Sequence, residues 1–270
     1  SRGVMDGCAQ LMDRKPDFLA STKQVLHGTT LVINAVLERK GAKTALITTE
    51  GFRDVLEIGT ERRYDLYDLQ QQYPEPLVPR YLRRGVTERL RSDGATLVPL
   101  DKAEVDRIAA DFASDGVEAV AVCLLHAYQN PVHELAIRER LTKMLPDASV
   151  SLSSEVLPEI NEYARTSTTV VNAYTKPLME RYLSSLEASL NKQGLRGRLL
   201  VMLSSGGVAS VDTAANFPVR VIESGPVGGA IMGQRIKEMA GIPVAFAFDM
   251  GGTTAKVCLL QGDEPARASE

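Results

Sequence analysis

The feature that most constrains this chain is an alternation kept up over nearly its whole length. Short apolar runs bounded by Gly, Pro, Ser or Asp are separated by segments of helical periodicity. Lys43–Thr49, Glu118–Leu125, Ser149–Ser153, Arg198–Leu203 and Val244–Phe248 read as buried strands, rich in Val, Leu, Ile, Ala or Phe. Asp101 is placed to N-cap a helix, with Glu104 at capping-box spacing and Val105, Ile108, Ala109 and Phe112 on one face. A second helix is expected to begin near Pro177, burying Leu178, Tyr182, Leu186 and Leu190 and ending at Gly194. A third spans Thr30–Lys40 and is closed by Gly41. The alternation specifies an α/β architecture. Gly59–Arg91 interrupts it with Pro74, Pro76, Pro79 and the run Gln70–Gln72, and reads as a long surface excursion suited to a subunit contact.

Composition narrows the function. With 270 residues, one large or two medium domains are expected. Lys and Arg total 31 against 34 Asp and Glu, for a net charge of −3. A nucleic-acid grip needs clustered positive charge and stacking aromatics, and this chain has no Trp and 5% aromatics, so nucleic acid is not an expected partner. The longest apolar run, near Ala119–Leu125, falls far short of the ~20 residues that cross a bilayer. Cys8, Cys123 and Cys258 are far apart and odd in number, which favours a reducing cytoplasm over a disulfide framework. The chain opens without Met and stops just after a strand-like run, as a piece of a longer protein would.

One segment carries chemistry. A strand from Val244 ends at Asp249, Gly251 and Gly252 follow, then Thr253 and Thr254, and a second apolar strand runs from Ala255 to Leu260. A Walker loop opens a helix, whereas this turn joins two strands. Two residues without Cβ let backbone amides approach a phosphate, the threonines add hydroxyl donors, and Asp249 can hold Mg²⁺ through water. Lys256 can offset phosphate charge if it shares the face. An ordinary tight hairpin is the plainer alternative.

Other segments are candidates, each beside a structural explanation. Glu223–Gly233 reads as a loop entering a helix at Pro226. Ser224, Gly225 and Gly228 suit either a nucleotide at a helix N-terminus or close helix packing. Ser204, Ser205, Gly206 and Gly207 follow a strand, where open α/β sheets bind ligands, or form a plain connection. His27, before Gly28, Thr29 and Thr30, is an acid/base or substrate-orienting group, or a satisfied core histidine. Arg165–Thr169 brings a guanidinium and four hydroxyls together, for an anion or for capping. Cys123, His126 and His133 lack a fourth ligand and the paired spacing of zinc sites. Cys258 is expected in the core of its strand.

Taken together, His27–Thr30, Gly41–Asp54, Ser153–Glu159, Arg165–Thr169, Ser204–Gly207, Glu223–Pro226 and Asp249–Lys256 resemble the hydantoinase A/5-oxoprolinase family, in its N-methylhydantoinase A branch. The resemblance covers about Val25 to Leu260. It implies an α/β fold of actin-like (ribonuclease-H-like) ATPase lobes, with mixed sheets flanked by helices. Residues 1–195 would be the rear of the N-terminal lobe, and 196–270 the start of the second lobe with its phosphate hairpin. The family carries an earlier Asp-x-Gly-Gly-Thr loop, which Ser1–Lys23 lack, so these residues are not expected to catalyse alone. The implied activity is the ATP-binding subunit or half of an ATP-dependent cyclic-amide hydrolase, acting on hydantoin or 5-oxoproline rings with ATP and Mg²⁺. A hydantoinase B-type subunit or C-terminal half is the implied partner. Asp249, Lys256 and His27 would be catalytic, Asp249 would carry Mg²⁺ through water, and Gly251–Thr254, Ser204–Gly207, Ser224, Gly225 and Gly228 would hold nucleotide. The alternatives are an acetone or acetophenone carboxylase subunit, which shares these motifs, and a non-catalytic nucleotide-binding assembly module. Tyr64–Asp68 and Pro76–Arg80 look more like the hydantoinase branch.

Overall fold

The structure, a computed structural model, describes residues 2–60, 65, 67, 68, 70–250 and 255–262. The strands are β1 (Gln24–His27), β2 (Thr44–Thr49), β3 (Arg83–Val86), β4 (Arg89–Leu90), β5 (Thr96–Val98), β6 (Ala119–Cys123) and β7 (Ser149–Leu152). They continue with β8 (Arg198–Met202), β9 (Val208–Ser210), β10 (Val244–Met250) and β11 (Ala255–Gln261). All five strands expected from the sequence are present. The chain gathers into two compact units, residues 41–178 and residues 1–40 with 179–270. This partition differs from a division after residue 195, because β1 near the start pairs in parallel with β8.

The 41–178 unit is built on a parallel sheet of order β3-β2-β6-β7. Every residue of β2 and β6 is buried, the mark of a parallel sheet covered on both faces. The helix Lys102–Ser114 buries Val105, Ile108, Ala109 and Phe112, as its periodicity predicts. Asp101 caps it by accepting from the amides of Ala103 and Glu104. The capping box is not closed, because the Glu104 carboxylate takes the Thr87 amide and the Asp101 amide bonds the Thr87 carbonyl.

Three expectations change here. The Gly59–Arg91 stretch is not all surface: Val78, Leu82, Val86 and Leu90 are at most 1% exposed, and β3 is an edge strand of the sheet. Its Arg63 and Tyr64, among others, lie outside the described residues. No helix starts at Pro177, which instead lies inside a helix spanning Glu162–Lys192. Val170 and Ala173 anchor that helix in one core and Met179, Leu183 and Leu186 in the other, and this burial outweighs the ~3 kcal/mol that proline costs. The third helix is shorter than expected, Leu31–Leu37, and the left-handed residue after it is Arg39, not Gly41. Gly41 is glycine for space, since a Cβ there would run into the Tyr174 ring.

The second unit holds the mixed sheet β1-β8-β9 and the antiparallel hairpin β10-β11. Its core is made by Leu19, Val32, Met179, Leu183, Leu186, Leu190, Leu199 and Val201, with Gly194 left-handed as expected. At the start of the β1–β8 pair, a Cβ on Gly197 would collide with the carbonyls of Thr22 and Lys23, so glycine is what permits the approach. The hairpin is less buried than its composition suggests. One face packs on the helix Ser224–Ala240, where Gly233 leaves room for Leu260 and Ala247. Phe246 and Phe248 on the other face are 69% and 63% exposed, and Cys258 is half-buried instead of in the core. Among the described residues no helix is long and apolar enough to cross a membrane.

Candidate functional site

β1 and β8 run in parallel and end together, so their carboxyl-terminal loops lie side by side, the position at which open sheets take ligands. β1 leads into His27–Thr30 and β8 into Ser204–Gly207. The latter is the tight turn to β9, with Gly206 at φ +90° and the Leu203 amide on the Gly207 carbonyl. The N-terminus of the Ser224–Ala240 helix comes to the same place; it starts two residues before the expected Pro226. Ser224 is fully buried. Its hydroxyl accepts from the Thr29 amide and donates to the Thr29 carbonyl, both at 3.1 Å. The Ser204 hydroxyl accepts from the Glu223 amide at 3.1 Å.

Glycines make the approach possible. A Cβ on Gly28 would press on the Ser224 carbonyl at 3.2 Å and on Gly225 Cα at 3.3 Å, and one on Gly225 would meet the Thr30 methyl at 3.3 Å. A Cβ on Gly228 would meet Met202 only at ordinary contact distance, so glycine is not required there for space. Among the described residues no side chain caps the start of this 17-residue helix, whose first amides are those of Ser224 and Gly225, Pro226 having no N–H. These amides and the helix dipole favour an anion.

The hairpin brings the charges. Asp249 and Lys256 are register partners across β10–β11, so their side chains share one face. The Lys256 ammonium is ion-paired with the Glu223 carboxylate at the head of the Ser224 helix. That pair offsets the negative charge of Glu223 at the head of the helix. Asp249 is exposed and has no ion pair among the described residues. Gly251, Gly252, Thr253 and Thr254 lie outside the described residues. Ser205 and Gly207 are exposed in the β8–β9 turn.

His27, the last residue of β1, is half-buried, and its Nε2 lies 2.9 Å from the Tyr182 hydroxyl. Burial holds its pKa below the usual histidine value. Thr29, Tyr182 and Glu223 were not singled out from the sequence as site residues. The available signal was a phenol on the otherwise apolar face of Leu186 and Leu190, since a buried Tyr hydroxyl wants a partner.

The remaining candidates lie in the other unit and are spent on structure. Arg165 is 1% exposed inside the long helix. It donates to the carbonyls of Leu124 and Glu159 at 2.8 and 3.1 Å and lies over the Tyr128 ring. Thr166 bonds Cys123, while Ser167 and Thr169 bond back to carbonyls of their own helix, so this cluster neither caps nor offers an anion site. His133 Nδ1 is 2.7 Å from Glu88. Among the described residues no three His, Cys, Asp or Glu side chains are grouped to hold a metal.

The fold is an α/β one with mixed and parallel sheets flanked by helices, of the actin-like ATPase class. It superposes on the nucleotide-free structure of acetone carboxylase with a TM-score of 0.83 at 29% identity, over 91% of this chain and 36% of that one. The chain belongs to the hydantoinase/oxoprolinase family: residues 1–145 match its N-terminal region and residues 165–270 match the hydantoinase/oxoprolinase domain. It is 41% identical over 249 residues to an uncharacterised protein of Methanocaldococcus jannaschii, covering 91% of this chain and 37% of that protein. It is 36% identical over 265 residues to caprolactamase subunit alpha of Pseudomonas jessenii, covering 96% and 38%. The crystal structure of the ATP-dependent caprolactamase from that organism superposes with a TM-score of 0.83 at 35% identity, over 96% of this chain and 38% of that one. The chain thus spans less than two fifths of the length of these relatives.

Proposed function

We propose that this chain is the phosphate-handling part of an ATP-dependent cyclic-amide hydrolase, within the ATP-binding subunit or half. The observation that carries the reading is the Lys256–Glu223 pair. It joins the hairpin bearing Asp249 to a helix N-terminus that no described side chain caps, beside the carboxyl ends of β1 and β8. The residues fit a magnesium-bound phosphate. Glu223 is neutralised, and an exposed carboxylate stands at a strand end. Asp249 would hold Mg²⁺ through water, because that ion keeps several waters and uses few carboxylates. The amides of the Ser224 helix, with Gly251–Thr254 and the Ser204–Gly207 turn, would bind phosphate oxygens, and Lys256 would sit beside the charge that builds up in transfer. His27 would face the reacting end. An unstrained amide is a poor electrophile, and ATP, when bound, supplies the phosphoryl group that makes its oxygen a leaving group.

The alpha-subunit name of the Pseudomonas caprolactamase supports a partner subunit for this chain, and a hydantoinase B-type protein or a C-terminal half is the partner we infer. A cytoplasmic location goes with this reading. The ring, whether hydantoin, 5-oxoproline or a lactam, is read from the family alone. A second reading, an ATP-dependent ketone carboxylase subunit, is favoured by the equal superposition on acetone carboxylase.

Substrate-stimulated ATP hydrolysis by the full-length protein with its partner tests both. Stimulation by hydantoin, 5-oxoproline or caprolactam that disappears in Asp249→Ala supports the amide hydrolase. Stimulation only by acetone with bicarbonate moves the assignment to the carboxylase. Wild-type protein that neither binds nor turns over nucleotide would make the hairpin structural.

A further inference from the structure

We propose that Tyr182 is a positioning residue that sets the working form of His27. Its hydroxyl donates to Nε2, so the imidazole keeps its proton on Nδ1 and offers that N–H to an acceptor oxygen of the substrate. The proposal rests on the reading of this strand end as the reacting site and narrows the part His27 plays in it, from acid, base or orienting group to hydrogen-bond donor.

The direction of the Tyr182–His27 bond follows from the two groups themselves. The Tyr182 hydroxyl lies 2.9 Å from His27 Nε2. A phenol O–H is a stronger donor than a neutral imidazole N–H, and a bare imidazole nitrogen is a stronger acceptor than a phenol oxygen, so the hydrogen of this bond belongs to Tyr182. The two rings are 5.7 Å apart and tilted by 34°, a contact that limits the turning of the imidazole. Tyr182 cannot easily turn away, because its helix neighbours Met179, Leu183 and Leu186 are fully buried.

The free end of the ring has a use. His27 Nδ1 has no hydrogen-bond partner among the described residues, although the ring is half-buried and burial favours its neutral form. A neutral imidazole whose Nε2 accepts a bond can do only one thing at Nδ1, which is donate. His27 also ends β1 immediately before Gly28, the point at which the backbone touches Ser224 and Gly225. The donor therefore stands beside the helix N-terminus assigned to phosphate.

The test reads the tautomer directly by nitrogen-15 NMR on histidine-labelled protein, without nucleotide or substrate. The chain has three histidines, His27, His126 and His133, and His27→Gln identifies the first. The expected result is a protonated Nδ1 and bare Nε2 at His27 in the wild type, with the proton moving largely to Nε2 in Tyr182→Phe. The signals of His126 and His133 should stay put and report an intact fold. In the full-length protein with its partner, Tyr182→Phe should lower kcat about tenfold, the effect of losing ~1.4 kcal/mol, and leave the nucleotide KM unchanged. A wild-type His27 protonated on Nε2, or a tautomer that Tyr182→Phe does not alter, would overturn the assignment. An unchanged kcat would overturn the donor role. The tautomer is measured without turnover, so a protein that proved unable to hydrolyse ATP would count against the functional reading and leave the Tyr182 result to be decided separately.

Discussion

Both units place polar side chains where parallel strands end, and they use them differently. At the carboxyl ends of β2, β3, β6 and β7 the groups are spent on one another. Glu134 accepts from the Leu124 amide, the Ser153 hydroxyl, and the amide and hydroxyl of Ser154, at 2.6–3.0 Å. Glu88 takes His133 and the Thr49 hydroxyl, and Thr49 in turn accepts from the Leu125 amide. Apart from the half-buried Ser154 these side chains are almost wholly buried, and the network braces the sheet end. At the carboxyl ends of β1 and β8 the bonds are fewer, the side chains are half-exposed, and glycines replace bulk. Among the described residues, His27 Nδ1, the Ser224 and Gly225 amides and the Asp249 carboxylate are left over. On the reading proposed above, unspent polar groups at a strand end would mark a binding site and spent ones a brace, and position at a strand end alone does not separate the two.

That contrast can be broken at several points. The largest effect is expected at Glu134→Ala, which strands two buried amides and two hydroxyls and should cost about 3 kcal/mol or more in chemical denaturation. A loss under about 1 kcal/mol would mean the brace is not one. Ser224→Ala should cost about 1–3 kcal/mol, because the Thr29 amide loses its acceptor in a buried place. Unlike Glu134→Ala, it should also weaken nucleotide binding, measured by calorimetry on the full-length protein. Gly28→Ala follows at about 1–2 kcal/mol, since the new methyl presses on backbone that cannot swing aside; thermal melts identical to wild type would show that the contact relaxes freely.

The smallest effect concerns pH. Burial keeps His27 neutral when folded, so between its lowered folded pKa and the unfolded value of about 6.5 the unfolded chain binds the extra proton. The stability this contributes is whole above that value and falls away as pH drops through the window. Denaturation of His27→Gln should therefore lose less stability than wild type between about pH 7 and 5. Equal slopes would place the titration elsewhere.

Much of this was legible in the chain, for local reasons. Strand and helix periods, the Asp101 cap and the left-handed Gly194 depend on neighbours in sequence, and they stand where the pattern puts them. Motif residues at loop positions, from His27–Thr30 to Glu223–Gly225, also proved to be brought together. What could not be read depends on partners far along the chain. Arg165 looks like an anion ligand until Leu124, Cys123 and Tyr128 close around it, 37–42 residues away. Pro177 looks like a helix start until two cores hold the helix through it.

The sequence by itself determined the alternation of elements, and with it the α/β class and the family. It also set which residue types stand at the strand ends. Tertiary structure alone decided that Lys256 reaches Glu223, that Ser224 clasps Thr29 across 195 positions, and that Tyr182 faces His27. The physical reason is range. Propensity and period act over a few residues, whereas a hydrogen bond or ion pair is chosen by whichever distant group the packing of the core delivers within about 3 Å.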